Sequence, residues 1–220
     1  MKKTSNRQVW FNIAVIAAAY VLVTILLKGN LLNRQYTSLL VPIAVNIMLA
    51  VSLNLVTGFL GELTLGHAGF MSIGAYTGAL ISLNLGKTEV LPAPAAFALA
   101  LLCGGLMAAV FGFLIGVPVL RLRGDYLAIV TLAFGEIIKS VINSMEITNG
   151  ARGLSKIPLY SNYTNYTVVF FLMVLTVLAV TNLMKSRDGR AIMAIRDNDI
   201  AAESIGIKIS HFKVKAFVIA

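Results

Sequence analysis

The chain has 220 residues, 58% of them hydrophobic and 12% charged, with a formal net charge of +9 and a mean hydropathy of +0.86. A soluble domain sits nearer half apolar and a quarter charged, so this balance excludes one and places the chain among polytopic membrane proteins. The excess of bases does not indicate nucleic acid, because they are scattered between apolar runs, where basic loops are the ordinary orientation signal.

Six apolar runs are predicted as spans, with the entry to a further one behind them. The expected fold class is therefore all-α, a polytopic transmembrane helical bundle. The first run, Val9–Leu27, is long enough to cross. No small-x-small cleavage site follows it at Lys28-Gly-Asn-Leu31, so it reads as an uncleaved span rather than a signal peptide. The second run is Leu39–Thr57, with Pro42 near its start, where a missing N–H costs least. The third, Leu65–Leu85, is rich in glycine. Pro92–Val117, Tyr126–Asn143 and Tyr166–Met184 complete the six. Lys213–Ala220 opens a seventh without a stop signal. A half-inserted helix would leave backbone groups unsatisfied in lipid, so the chain is expected to be a piece of a longer protein. No linker interrupts the series, and residues 1–220 are expected to form one transmembrane domain. Two glycosylation sequons by pattern, at Asn162 and Asn165, carry little weight because so short a pattern arises by chance.

Orientation follows from the bases. With a cytoplasmic N-terminus, the inside segments hold Lys2, Lys3, Arg7, Arg121, Arg123, Lys185, Arg187, Arg190, Arg196, Lys208, Lys213 and Lys215. The outside loops hold only Lys28, Arg34, Lys87, Arg152 and Lys156, and Lys139 lies in a span. The charged tract Asp188–Gly206 then shares the cytoplasmic side with the N-terminus.

Between the second and third runs, glycines at 58, 61, 66, 69, 74 and 78 are too dense for a plain lipid-facing helix. Gly74-x-x-x-Gly78 has the spacing of close helix packing, and breaks in membrane helices are tolerated only where protein or water covers the freed backbone. Glu62, Thr64 and His67 in this stretch are candidate pathway or gating residues, since polar groups near membrane depth are costly, and Gly69 is a further candidate as part of the glycine-rich third run. Glu62 has the alternative of capping or pairing locally at the cytoplasmic boundary, and His67 that of an interhelical hydrogen bond. In the fourth run, Gly104, Ala108, Gly112 and Gly116 form a smooth ridge for a neighbouring helix. In the fifth, Glu136 and Lys139 share a helix face and can pair. That face lines a pathway, holds two bundles in register, or carries no more than an interfacial salt bridge.

No catalytic constellation is present. There is no Gly-x-Ser-x-Gly, no His-Glu-x-x-His, a single cysteine (Cys103, expected as a buried packing residue) and only His67 and His211, so no catalytic, cofactor or metal site is expected. Gly86-Lys-Thr88 imitates the end of a P-loop, but Ile81 stands where the leading glycine belongs. The cytoplasmic tract predicts two short helices. Asp188 is expected to cap the first, Asp197-Asn-Asp199 to supply turn and cap for the second, and Gly206 to stop it. Ile192, Ile195, Ile200 and Ile205 make an amphipathic surface that either docks on a partner groove or lies on lipid.

Ala201-Ala-x-x-x-Gly206 resembles the core of the loop by which importer permeases seat in their ATP-hydrolysing subunits. Ile200 stands where a leading Glu is expected, with Asp199 beside it, and a Leu-Pro ending is missing. Four further stretches strengthen the likeness: Gly58-Phe-Leu-Gly-Glu-Leu-Thr-Leu-Gly-His-Ala-Gly-Phe70, Arg121–Glu136, Thr148-Asn-Gly-Ala-Arg-Gly-Leu154 and Gly189-Arg-Ala-x-x-Ala-x-Arg-Asp197. With these the chain resembles the branched-chain amino acid importer permeases of LivM type from about residue 40 onward. The Thr148–Leu154 stretch departs from the family's more usual Thr-Gly-Gly-Pro-x-Gly, in an outer loop that would face a binding protein.

The resemblance implies a subunit of the bacterial inner membrane. Its partners would be a second, homologous permease subunit, two cytoplasmic ATPase subunits carrying ATP and Mg, and a periplasmic substrate-binding protein. It implies cytoplasmic coupling helices at about 186–212, with Arg190, Arg196, Asp197, Ala201, Ala202 and Gly206 as coupling residues. Members of the family continue past the length seen here. An ion- or proton-coupled secondary transporter of small polar solutes, using Glu62, His67 and Glu136 as a relay, is the alternative. An intramembrane enzyme would need paired acids or histidines that are missing. The substrate stays open among aliphatic and other amino acids, amides and urea-like solutes.

Overall fold

The structure, a computed structural model, describes residues 6–29, 33–88, 92–122, 124–157 and 166–220. Among these every regular element is helical: α1 (Asn6–Lys28), α2 (Arg34–Asn54), a π-helix (Leu55–Leu60), α3 (His67–Thr88), α4 (Ala93–Val119), α5 (Asp125–Ser144), α6 (Thr167–Lys185), α7 (Arg187–Asp197), α8 (Asp199–Ser204) and α9 (Ile209–Ile219), with short 3-10 turns at Glu146–Thr148 and Gly150–Arg152. Among the described residues five helices are long and apolar enough to cross a membrane: Gln35–Leu60, His67–Leu85, Ala93–Val119, Asp125–Ser144 and Thr167–Lys185. They coincide with the second to sixth predicted runs. At the first run the chain is helical, and its apolar part is Ala14–Leu27. The two sequons at Asn162 and Asn165 lie outside the described residues.

Pro42 corrects one expectation. It lies inside α2, which begins at Arg34. The polar residues ahead of the apolar run continue the helix, so the proline gives up a backbone bond in its interior. Gly86–Thr88 continue α3 as helix, whereas a phosphate-binding loop needs open backbone before its helix.

The chain divides into two compact units, Met1–Met48 with Ser161–Leu175, and Leu49–Tyr160 with Thr176–Ala220. In the first, Ala44 is fully enclosed and packs with Tyr166 and Val169. There the Tyr20 and Thr167 hydroxyls lie 2.9 Å apart, and Tyr20 stacks at a tilt on Phe170 with ring centroids 5.2 Å apart.

The second unit holds a larger core, in which Val56, Leu60, Leu127, Ile192, Ile195, Ala202 and Phe217 meet. The ridge on α4 organises it, and it serves two partners rather than one. A Cβ at Gly104 would lie 2.6 Å from the Gly74 carbonyl oxygen, so α3 and α4 touch backbone to backbone there. Further along, Gly116 faces the Phe217 ring of α9. Small residues permit this approach, and van der Waals packing holds it where water is absent. The rest of α4 turns Leu102, Leu106 and Leu114 outward, as a lipid-facing surface requires. Cys103 is a free thiol and only partly buried, because it sits one position off the packed ridge.

Candidate functional site

The helices after the last long span, α7 and α8, form a helix-turn-helix whose stops and starts are chemically explicit. The Ser186 hydroxyl accepts from the Gly189 N–H at 3.2 Å and caps α7. This corrects the expectation for Asp188, whose carboxylate is in the first turn and pairs with Lys215 of α9. Asn198 caps α8 by accepting from the Ala201 N–H at 2.9 Å. At the far end Gly206 takes φ +89°. Its N–H donates to the Glu203 carbonyl at 2.9 Å, and the Ile207 N–H donates to that of Ala202 at 3.1 Å. These paired bonds are the left-handed helix stop that glycine favours.

The four isoleucines do not share one surface. Ile192 and Ile195 are buried in the core of this chain, whereas Ile200 and Ile205 are 73% and 75% exposed on the α8 side. α7 spends its apolar face on its own protein, because that face meets the π-helix and α9. Only α8 keeps apolar side chains free. Ala202 is buried beneath it and Ala201 is exposed.

α7 grips the end of the second span. The Arg196 guanidinium donates from Nη1 to the Gly58 carbonyl at 3.2 Å and from Nε and Nη2 to Asp197 at 3.1 and 2.9 Å. The grip requires Gly61, which has φ +79° and whose Cβ would lie 2.6 Å from the Arg196 side chain. The Arg190 guanidinium reaches the Lys185 carbonyl at 3.0 Å and so ties α7 back to α6. The π-helix explains why a carbonyl is available at Gly58: its wider turn lets the Glu62 N–H reach back to Val56 at 3.1 Å.

Residues 61–66 are irregular and connect the π-helix to α3. Glu62 forms a salt bridge with Lys213 of α9, and the two side chains are 14% and 7% exposed. Glu62 thus pairs, but with a partner 151 positions away rather than locally. The Leu65 N–H donates to the Thr131 hydroxyl of α5 at 3.1 Å, and that hydroxyl donates to the Ala128 carbonyl at 3.0 Å. Thr64 is buried, and its hydroxyl has no hydrogen-bond partner among the described residues. His67 Nε2 lies 3.0 Å from the Ser52 hydroxyl, an interhelical hydrogen bond. Gly69 packs on α5, where its Cβ would sit 2.9 Å from the Gly135 Cα.

Glu136 belongs elsewhere. Its side chain points away from the face of α5 that packs through Leu127, Thr131, Ile138 and Ile142. It pairs with Lys139 at 3.3 Å, each side chain 66% exposed. The structure therefore joins Arg196 and Asp197 to the Gly58–Glu62 joint and leaves Glu136 on a separate surface. Lys213, Lys215 and Thr131 were missed as partners. The signal was present: Lys213-x-Lys215 interrupts an apolar stretch, and a lysine there needs a counter-ion. Among the described residues no cluster of His, Cys, Asp and Glu has the makings of a metal site.

Residues 35–220 match the family model described as branched-chain amino acid transport system / permease component. Over 208 residues the chain is 39% identical to the high-affinity branched-chain amino acid transport system permease protein LivM of Escherichia coli (strain K12), covering 79% of this chain and 47% of that protein. The same comparison with LivM of Salmonella typhimurium (strain LT2) gives 38% identity at equal coverage. The probable LivM permease of Methanocaldococcus jannaschii is 25% identical over 126 residues, covering 52% of this chain and 36% of that protein. The chain spans about half the length of the two bacterial relatives. No solved structure matches it. The long apolar helices make it a multi-pass membrane protein. By its family match and its relatives, the chain belongs to the branched-chain amino acid transport permeases.

Proposed function

We propose that this chain is the transmembrane permease subunit of an ATP-driven importer for branched-chain or related amino acids, working in the bacterial inner membrane. It pairs there with a second, homologous permease subunit, receives substrate from a periplasmic binding protein, and is driven by two cytoplasmic ATPase subunits that hold the ATP and Mg. The chain itself binds no cofactor and performs no chemistry. Its N-terminus is cytoplasmic, α1 is a sixth span, and α9 enters a further one.

The observation that carries this reading is the division of labour in the helix-turn-helix. Ile200 and Ile205 stand exposed on α8, while Arg196 on α7 holds the Gly58 carbonyl at the end of a span. A push received at α8 is delivered through α7 to the Gly58–Glu62 joint and through Asp188–Lys215 to α9. Coupling of this kind requires the partner to bind two arrangements of the joint unequally. Glu62, Thr64, His67 and Gly69 form the moving end of the device, and the buried hydroxyl of Thr64 is poised to gain a partner in another arrangement.

Gly206 tests the reading. A Cβ added there would meet no atom of the described residues within 4 Å, and the φ of +89° strains any replacement alike, so a difference between a small and a bulky residue reports on a docked partner. In proteoliposomes holding the complete importer, Gly206→Trp is expected to abolish ATP-driven leucine uptake while ATP hydrolysis continues. Gly206→Ala, which shares only the backbone strain, retains most uptake. Normal uptake by Gly206→Trp would overturn the coupling role. Uptake that survives without the ATPase and collapses with a protonophore would establish the secondary-transporter reading instead.

A further inference from the structure

The exposed face of α5 is built unlike the outer surface of α4. Leu132 and Ala133 lie one turn before Glu136, and Lys139 and Ser140 one turn after it; this i, i+3, i+4 spacing puts all five on one side of the helix, and all five are exposed. Glu136 lies about 16 Å along α5 from Asp125, at the rise of an α-helix, which places it at mid-span. A carboxylate at that depth is too costly to face hydrocarbon, and such groups face a bundle interior or a water-filled cavity; its partner Lys139 lies about one turn nearer the Ser144 end.

We infer that this face is the station in the pathway that recognises the zwitterionic head of an amino acid, a deepening that rests on the importer reading above. Lys139 Nζ receives the α-carboxylate and Glu136 the α-ammonium, exchanging their hydrogen bond to each other at 3.3 Å for bonds to the substrate. One turn away, a rise of about 5.4 Å, Leu132 and Ala133 offer an apolar seat for an aliphatic side chain. A pair of opposite charges beside apolar surface matches a neutral amino acid with an apolar tail. It disfavours a solute of net charge, whose surplus charge finds no partner there.

The test uses proteoliposomes containing the complete importer. Glu136→Gln and Lys139→Met are each expected to lower leucine uptake about tenfold to a hundredfold, the range for losing one hydrogen bond to a charged group. The exchange of the two residues, Glu136→Lys with Lys139→Glu, keeps an ion pair but reverses its direction and is expected to stay defective. Restored uptake in the exchanged pair would mark a structural salt bridge and overturn the inference, as would unchanged uptake in both single variants. A second measurement does not depend on turnover. With Cys103→Ser removing the native thiol, Ser140→Cys is expected to react with a membrane-impermeant thiol reagent. Absence of reaction would mean that lipid or a partner subunit covers the face, and would also overturn it. A wild-type importer with no ATP-driven leucine uptake would instead bring down the importer reading, and this inference with it.

Discussion

Two glutamate–lysine pairs in the second unit invite comparison. Glu62 and Lys213 are 151 positions apart, nearly enclosed, and join the segment after one span to the helix that follows the charged tract. Glu136 and Lys139 are one turn apart on the same helix and two-thirds exposed. The same chemistry therefore does different work. The enclosed pair is a fastener whose strength depends on both partners being present, because either alone is an uncompensated buried charge. The exposed pair contributes little to holding the fold, and its position in a span makes sense only if something polar comes to meet it.

The largest effect should come from breaking the enclosed pair on one side. Lys213→Met is expected to lower stability by about 3–5 kcal/mol, read as a fall in unfolding temperature of the purified protein in detergent. Adding Glu62→Gln to it should recover most of the loss, since the buried charge is gone. A single variant as stable as wild type would show that the pair is not a fastener at all. A smaller effect is expected at the neighbouring grip. Gly61→Ala combines a left-handed backbone with a clash against Arg196, and the backbone alone costs about 1–2 kcal/mol. The same measurement detects it, and protease cleavage in residues 61–66 should rise. The smallest effect belongs to the exposed pair. Glu136→Gln should change stability by less than about 1 kcal/mol, even while transport falls. A loss comparable to that of Lys213→Met would erase the distinction between the two pairs.

Much of this was legible in the residues. Apolar runs set the long helices to within a few positions, and the Gly104–Gly116 ridge announced close packing, because composition and small-residue spacing act locally. A cap within Asp197–Asp199 and the stop at Gly206 were legible for the same reason: capping and left-handed stops are decided within one turn. Ser186 was overlooked in favour of Asp188 because both are competent caps, and only the placement of Lys215 diverted the carboxylate. Pro42 was misjudged because hydropathy marks where a helix becomes greasy, not where it begins.

What the sequence determined by itself was the class of protein, the long helices and the stop at Gly206, all set by solvent preference and short-range backbone bonding. What the tertiary structure decided was which groups meet. Lys213 found Glu62, Arg196 found the Gly58 carbonyl, and Ile192 went inside while Ile200 stayed out. Those choices depend on how helices far apart in the chain pack, and no local pattern of residues encodes the partner across the gap.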